Sequence, residues 1–587
     1  MGGCVTGACV ARSQSRSPGP SALHSWQPGR PRRMLGVMQR VAVAALVACC
    51  SCACAGDLFH VASGGVIVDQ FGRQRIFHGL NVVEKVPPYI PRRDAFDSSR
   101  SLAAHDIDLL RQWGFNVVRL GVLWAAVEPS PGLYNETFLG EIRDLVDELG
   151  RAGIYTVIDS HQDLMNPSFC GEGFPDWATR PMQASCDGVF AKIARRLFGA
   201  CQTLPDLGVS VDPVTGYANR TDCLKTNFAR YYLTPEVGSA FDNFFGSADL
   251  RRAFAKQWNQ IARALSGSPY VVGYDLLNEP WIGNVWDNVR LIEPGYVDRT
   301  LLQGLHHDVH NAIREADDKT LVIYEETQFP DSFPIFGGLV HEVGFTENPA
   351  GPHSPYSNRT VLSMHNYCCI ASPSACDRDG NPVASDAHLC DKYAQRKIST
   401  RAKDSRRLSS GLMLTEFGAC MDPVLCPQEI TRVTSHADDM QLSWIYWQYK
   451  YSDDVTTQSG DGEGLFNADG SIQMEKLRAL SRTYAPAVQG RIHSMAFDAT
   501  AAAFHLEFTL DPSVAADTEI YFNEDLHYPN GYRVVLAPPD AVSWSYVERN
   551  RIVVSVKRHT SLAQLDGTRI TIGIQRIPSK PQRVQTL

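Results

Sequence analysis

The sequence predicts an α/β protein, a (β/α)8 TIM barrel followed by a small C-terminal all-β sandwich. Three observations carry that expectation. Short apolar stretches alternate with amphipathic segments eight times between about residues 75 and 485. Runs such as VVRLGV at 117–122 and LMLTEF at 412–417 are apolar almost throughout, as parallel strands covered on both faces must be. After Pro486 the helical period stops, and short β-alternating runs separated by Pro, Asp and Gly take over.

In chain order the barrel strands are expected at Arg75–Val83, Asn116–Val122, Tyr155–Ser160, Val271–Asn278, Thr320–Glu325, Val361–Tyr367, Leu412–Glu416 and Ser443–Gln448. Between them Ser101–Trp113, Thr137–Ala152, Leu250–Leu265, Tyr296–Glu315 and Ile472–Tyr484 carry apolar residues at helical spacing. The connections across 169–246 and 327–360 exceed what a strand-to-helix link needs, which marks them as functional loops or lids. The runs Met495–Phe508, Ile520–Phe522, Gly531–Leu536, Ser543–Val547, Arg551–Val556 and Thr568–Gln575 supply the sandwich. No exposed aromatic row stands out there, so bracing of the barrel is its expected role. The chain divides into a leader at 1–55, a catalytic barrel at 56–485 and a sandwich at 486–587.

The leader holds six Arg, six Cys and no Asp, Glu or Lys. Arg32, Arg33 and Arg40 precede the apolar run Val41–Cys50, and Ala53-Cys54-Ala55 offers a small-residue cleavage site. That is the layout of a secretory signal, with Met1, Met34 or Met38 as possible starts. The apolar run is about 10 residues, too short for a bilayer that needs about 20. The expected destination is outside the cell or a secretory vesicle. The alternative is a lipid or signal anchor, since Leu46-Val47-Ala48-Cys49 resembles a lipobox. Without the leader the chain carries 49 Lys and Arg against 64 Asp and Glu, with no basic run, which excludes nucleic acid as a partner. A monomer is expected.

Ten cysteines remain, and an oxidising route predicts disulfides. Cys170/Cys186, Cys201/Cys223 and Cys420/Cys426 are local candidates, while Cys368 and Cys369 must reach elsewhere, with Cys376 and Cys390 as candidates. Asn135, Asn219 and Asn358 open glycosylation sequons.

Chemistry in such barrels gathers at the C-terminal strand ends. Strand 4 ends Asn278-Glu279-Pro280 and strand 7 ends Glu416-Phe417-Gly418. Two carboxyls about 5–5.5 Å apart across the barrel mouth are what glycoside hydrolysis with retention requires. Glu279 is the candidate acid/base and Glu416 the candidate nucleophile. Arg119, at the end of strand 2, would keep Glu416 ionised; a structural ion pair is its alternative. Asn278 would hold the sugar 2-hydroxyl. His365 and Tyr367 on strand 6 would orient the nucleophile, unless His365 is only a satisfied core histidine. Trp447 on strand 8 would be the flat platform under a sugar. Trp124, Trp177 and Gln328 are weaker candidates, with core packing the alternative for Trp124. No metal or nucleotide motif is present, and acid/base chemistry needs no cofactor.

These motifs, with Phe77-His-Gly-Leu-Asn81-Val-Val-Glu-Lys85, Asp159-Ser-His161-Gln-Asp163, Gly171-Glu-Gly-Phe-Pro-Asp-Trp177 and His365-Asn-Tyr367, resemble glycoside hydrolase family 5, and within it the endoglycoceramidases. The resemblance spans roughly 57–580. It implies hydrolysis of the β-linkage between oligosaccharide and ceramide in glycosphingolipids. It also assigns Lys85 and Asp159 to hydroxyls of the sugar beside the cut, with His161 and Asp163 close by. For Lys85 the alternative is a surface pair with Glu84. Rival activities are β-glucosidases acting on glucosylceramide, galactosylceramide-series lipids or steryl glucosides, and a secreted β-glucanase. A glycan- or lipid-binding protein is the non-enzymatic rival.

A glycolipid needs an apolar surface for its tails. Phe228, Tyr231, Tyr232, Phe241, Phe244, Phe245, Phe329, Phe333, Phe336 and Phe345 in the long loops are expected to form a ceramide-facing lip and to contact the membrane. The alternative is that they pack as satellite cores.

Overall fold

Eight parallel strands close into a barrel in the computed structural model, which describes residues 58–179, 185–328, 340–368, 385–418, 422–451, 455–457, 462–557 and 565–578. The leader lies outside these residues, as do Phe329, Phe333, Phe336, Cys369, Cys376 and Cys420.

Three short strands, β1 (Phe59–Ala62), β2 (Val66–Asp69) and β3 (Gln74–Arg75), precede the barrel. The barrel strands are β4 (His78–Val82), β5 (Val117–Gly121), β6 (Tyr155–Asp159), β7 (Val271–Asp275), β8 (Leu321–Glu325), β9 (Thr360–Asn366), β10 (Gly411–Phe417) and β11 (Ser443–Tyr446). They neighbour in sequence order, with β10–β11–β4 closing the ring. Among the helices outside it are α1 (Ala104–Gln112), α2 (Glu136–Arg151), α3 (Val189–Phe198), α4 (Pro235–Gly246), α5 (Ala248–Leu265), α6 (Gln303–Arg314), α7 (Ala387–Arg407), α8 (Leu425–Asp439) and α9 (Met474–Leu480). The cause is plain in α2. Asn135 caps it by accepting from the Phe138 N–H, and Phe138, Leu139, Ile142, Leu145, Val146 and Leu149 form one buried stripe.

The barrel interior is layered. At its N-terminal end Phe77, Val117, Val157, Val272, Ile323, Val361, Met413 and Ile445 form a separate apolar cluster, plugged from below by Phe59, Val61 and Ile67. Nearer the C-terminal end the inward positions turn polar, with Asn81, Arg119, Asp159, Asp275 and Thr415 all fully buried. Substrate chemistry therefore has a rigid ionic floor resting on a hydrophobic plug.

The C-terminal region adds β12 (Tyr484–Val488), β13 (Gly490–Asp498), β14 (Ala503–Leu510), β15 (Thr518–Tyr521), β16 (Tyr532–Ala537), β17 (Val542–Glu548), β18 (Arg551–Val556) and β19 (Arg569–Arg576). One sheet runs β13-β14-β19-β16; the other runs β1-β2-β3-β12-β15-β18-β17. The second sheet thus begins with the strands that precede the barrel: Arg75 pairs with Ala487, and Gln74 with Val488. Edge strand β17 leaves Trp544 and Tyr546 about half exposed, an aromatic pair that the sequence reading of this region missed.

The long insertion after β6 corrects two expectations. Its bridges are nested rather than successive: Cys170 joins Cys223, and Cys186 joins Cys201. The chain doubles back around α3, so Cys186 and Cys201 meet, and the outer pair closes the base of the insertion. Cys368 bonds Cys390, and Cys426 is also in a disulfide. The described rings of the expected lip do not form one. Tyr231, Tyr232, Phe241, Phe244, Phe245 and Phe345 are buried, and Phe228 is half-buried. Phe244 packs against Phe174, Phe254 and Trp124, so these rings are a core extension of the barrel wall. Trp124 is core for the same reason. The three sequon asparagines are exposed. Among the described residues no helix is long and apolar enough to cross a membrane.

Candidate active site

Arg119 organises the barrel mouth. It lies on β5, fully buried, and each of its five N–H donors has an acceptor. Nε donates to Asp275 Oδ2 at 2.8 Å, Nη1 to Glu416 Oε1 at 2.6 Å and to Asn81 Oδ1 at 3.1 Å. Nη2 donates to Asp159 Oδ1 at 2.9 Å and to Asn278 Oδ1 at 3.0 Å. Burial works against the guanidinium charge, but Asp159, Asp275 and Glu416 outweigh it and hold the group above its ordinary value. Burial pushes Asp275 up to about 7, against the pull of Arg119.

Glu416 comes off β10 at an irregularity. The register with β9 shifts between Leu414 and Glu416, which sets Glu416 opposite His365. Such a bulge re-aims a side chain beside a site. Glu416 Oε1 takes the Arg119 bond, and Oε2 accepts from the Tyr367 hydroxyl at 2.8 Å. Burial and the Glu416 charge keep Tyr367 well above its usual range, so it stays a donor.

Glu279 stands across the mouth, with its side chain 19% exposed against 4% for Glu416. One carboxylate oxygen from each, together with a ring nitrogen of His365, lie within 4.8 Å of one another. That is the spacing of a retaining pair and too close for the wider gap of an inverting one. His365 Nδ1 and Glu279 Oε1 share a hydrogen bond at 2.7 Å, and burial holds the imidazole down at about 4, so it is neutral at pH 7. Burial, then the Asp163 charge, push Glu279 up to about 7.

The comparisons with known proteins agree with this geometry. The model described as Cellulase (glycosyl hydrolase family 5) matches residues 93–205 and 218–453. The Glycoside hydrolase family 5 C-terminal domain matches 482–574. The chain belongs to glycoside hydrolase family 5. It is 31% identical to an endoglycoceramidase from Cyanea nozakii over 86% of this chain and 92% of that one. It is 33% identical to an endoglycoceramidase from Hydra vulgaris over 81% and 82%. A ganglioside GM3 complex of endo-glycoceramidase II from Rhodococcus sp. shares the fold, with a TM-score of 0.66 and 21% identity over 87% of this chain and 99% of that one.

The rest of this family 5 site forms a second cluster on one side of the mouth. Lys85 is buried, and its Nζ meets Asp163 Oδ2 at 2.6 Å, Thr456 Oγ1 at 2.6 Å and Glu172 Oε1 at 3.1 Å. The surface-pair alternative is thereby excluded, because Glu84 is buried and takes Arg100 instead at 2.8 Å. Despite burial, Lys85 and His161 hold Asp163 well below the carboxylate range. His161 bonds Asp159 Oδ2 through Nδ1 at 2.8 Å, and against burial that carboxylate lifts it to about 9. His161, Asp163 and Glu172 could together hold a cation, and the Lys85 ammonium already supplies that charge.

Trp447 lies parallel to His161 at 5.2 Å between ring centroids, with Lys85 Nζ 4.9 Å from its ring centre. Its Nε1 donates to Glu463 Oε2 at 2.9 Å. Asn278 donates through Nδ2 to the Gln162 carbonyl at 3.0 Å and keeps a second Nδ2 proton. Trp177 is half-buried and donates to the Glu128 carbonyl at 3.1 Å. Gln328 donates to Glu325 Oε1 at 2.7 Å.

The sequence reading did not single out Glu325, Gln162, Asn81, Asp275, Glu172, Thr456 or Glu463. Glu325 is fully buried at the end of β8 and accepts the backbone N–H of Glu279 at 2.9 Å. Gln162 Nε2 donates to the carbonyls of Asn278 and Glu279 at 2.8 and 3.2 Å. Glu279 needs this clamp because its φ is +40°, a backbone state costly for any residue with a Cβ. Burial, then the Glu279 charge, push Glu325 well above the ordinary carboxylate range. Both Glu325 oxygens accept, one from Gln328 and one from the Glu279 N–H, so Glu325→Gln sets an NH₂ against a donor and should lose about tenfold, while Glu325→Ala should lose about 10²-fold by freeing the Glu279 backbone. Steady-state rates on a soluble aryl glycoside, compared for the two variants, check this.

Proposed function

We infer that the protein is a retaining endo-β-glycosidase that hydrolyses the linkage between oligosaccharide and ceramide in glycosphingolipids. The observation that carries the reading is the unequal carboxylate pair. Glu416 is pinned by Arg119 and Tyr367, while Glu279, 4.8 Å away or less, is more open and pushed up to about 7. Relatives named endoglycoceramidase, similar over most of the chain, supply the lipid half of the reading.

In the first step a Glu416 oxygen attacks the anomeric carbon while Glu279 gives its proton to the glycosidic oxygen, and ceramide leaves as an alcohol. Esterification removes the Glu416 charge, which favours an ionised Glu279. Glu279 then takes a proton from water, whose oxygen attacks the same carbon, breaks the bond to Glu416, which leaves as a carboxylate, and restores the β-configuration. Asn278 holds the 2-hydroxyl, Lys85 and Asp159 hold hydroxyls of the sugar beside the cut, and Trp447 lies under that sugar. His365 orients both carboxylates, and His161 and Asp163 set the charge around Lys85. The protein acts as a monomer that reaches its lipid at a membrane surface. The disulfides and an Arg-bearing apolar leader support delivery through the secretory route.

The test is ceramide release from a detergent-dispersed ganglioside across pH. Glu279 must carry a proton to act, so kcat/KM should fall as pH rises through about 7. Glu279→Gln should remove that alkaline limb. Sugar release from a steryl glucoside with no ceramide from any glycosphingolipid would overturn the assignment.

A further inference from the structure

The strongest unassigned surface is α3, inside the disulfide-stapled insertion after β6. Val189, Ile193 and Leu197 recur every four residues and form one ridge. They are 80%, 51% and 66% exposed, with Phe190 beside them at 45%. Among the described side chains of the helix, Ala191 and Ala194 are the buried ones and face the body. Lys192, Arg195 and Arg196 lie along the other exposed side. Lys192 sits 3.7 Å from Asp187, and Arg195 bonds Asp206 at 2.8 Å, so the face is cationic only in part. A globular helix buries its apolar ridge; this one turns it to solvent with long basic side chains at its border, the layout of a helix lying in a lipid interface.

Its position fits the substrate. The Phe190 ring stacks on Trp286 at 6.1 Å, and Trp286 sits on the loop that continues from Glu279. The same loop exposes Val289 and Ile292. The proton donor faces the leaving-group oxygen, and the chain that follows Glu279 reaches α3 through Trp286.

We propose that α3 docks the enzyme onto a phospholipid bilayer, its Val189–Ile193–Leu197 ridge entering the interface beside the loop that follows Glu279. This rests on the glycolipid reading above for its purpose, but not for its measurement. With 64 acidic against 49 basic residues beyond the leader, apolar insertion rather than net charge must drive the contact.

The test uses the full chain and phosphatidylcholine vesicles with and without a glycosphingolipid. Wild type is expected to co-sediment with plain vesicles. Val189→Ser, Ile193→Ser and Leu197→Ser combined should weaken that association at least about tenfold. Ceramide release from the glycolipid-bearing vesicles should fall similarly, with hydrolysis of a soluble aryl lactoside unchanged. Val189→Trp should tighten vesicle association. If wild type fails to associate, or the triple variant associates as wild type does, the proposal is overturned. If the triple variant also loses aryl lactoside activity, unchanged association of Val189→Trp overturns it. Failure of the glycolipid reading shows separately, as no ceramide from detergent-dispersed glycolipid while plain-vesicle association persists.

Discussion

Glu416→Gln is expected to lower kcat on every β-glycoside substrate by at least about 10⁴-fold, or ~5.4 kcal/mol of barrier. The amide keeps the shape of the carboxylate but cannot form the glycosyl ester. It also fits its pocket badly. Oε1 and Oε2 both accept, from Arg119 and from Tyr367, so an NH₂ on either side faces a donor. Glu279→Ala should behave differently. Its loss of about 10²–10⁴-fold should hold for a ceramide leaving group, which needs a proton, and shrink for an activated phenol, which does not. Added azide should then rescue Glu279→Ala as a β-glycosyl azide, identifiable by NMR. An α-azide, or Glu416→Gln retaining activity within about tenfold of wild type, would refute the assigned roles.

Arg119→Lys is the second large effect. Lysine brings three donors to a pocket with five acceptors spread over Asn81, Asp159, Asp275, Asn278 and Glu416. Two acceptors lose their partner, and the charge moves off the plane that matched them. The nucleophile and the asparagine that holds the 2-hydroxyl are both positioned by this group, so kcat should fall about 10²–10³-fold. Arg119→Ala should additionally cost about 3–5 kcal/mol of stability, because it leaves buried carboxylates uncompensated. Thermal unfolding of the two variants separates the effects. If Arg119→Ala unfolded with the wild-type midpoint, Arg119 would not be the electrostatic centre of the barrel.

Much of this site was legible because strand ends obey a rule. Glu279, Glu416, Arg119, Asp159, His365 and Tyr367 follow apolar runs whose barrel placement fixes where their side chains converge. Glu325 ends such a run too, and a carboxylate at the end of strand 5 was its signal. Glu463 and Thr456 come from loops after β11, where no period registers a position. The insertions were read backwards for a physical reason. Phe241, Phe244 and Phe245 are large apolar residues in a loop-length stretch, and only tertiary packing tells whether such rings face water or a barrel wall. The exposed ridge of α3 was overlooked because a short amphipathic helix normally hides that side. Disulfide partners depend on how the insertion folds back, which spacing does not encode.

The seam between the chain's two ends sets the order in which the protein can finish folding. Arg73, just ahead of β3, bonds the Asp517 carbonyl 444 residues later, and Arg75 pairs with Ala487. A ribosome adding about 5–20 residues per second takes roughly 20–90 s to deliver that partner. Throughout that interval the floor of the barrel, plugged by Phe59, Val61 and Ile67, hangs on a hairpin whose outer edge is unpaired. A truncation after the barrel would make that transient edge permanent, so the sandwich acts as the latch that completes the nascent chain.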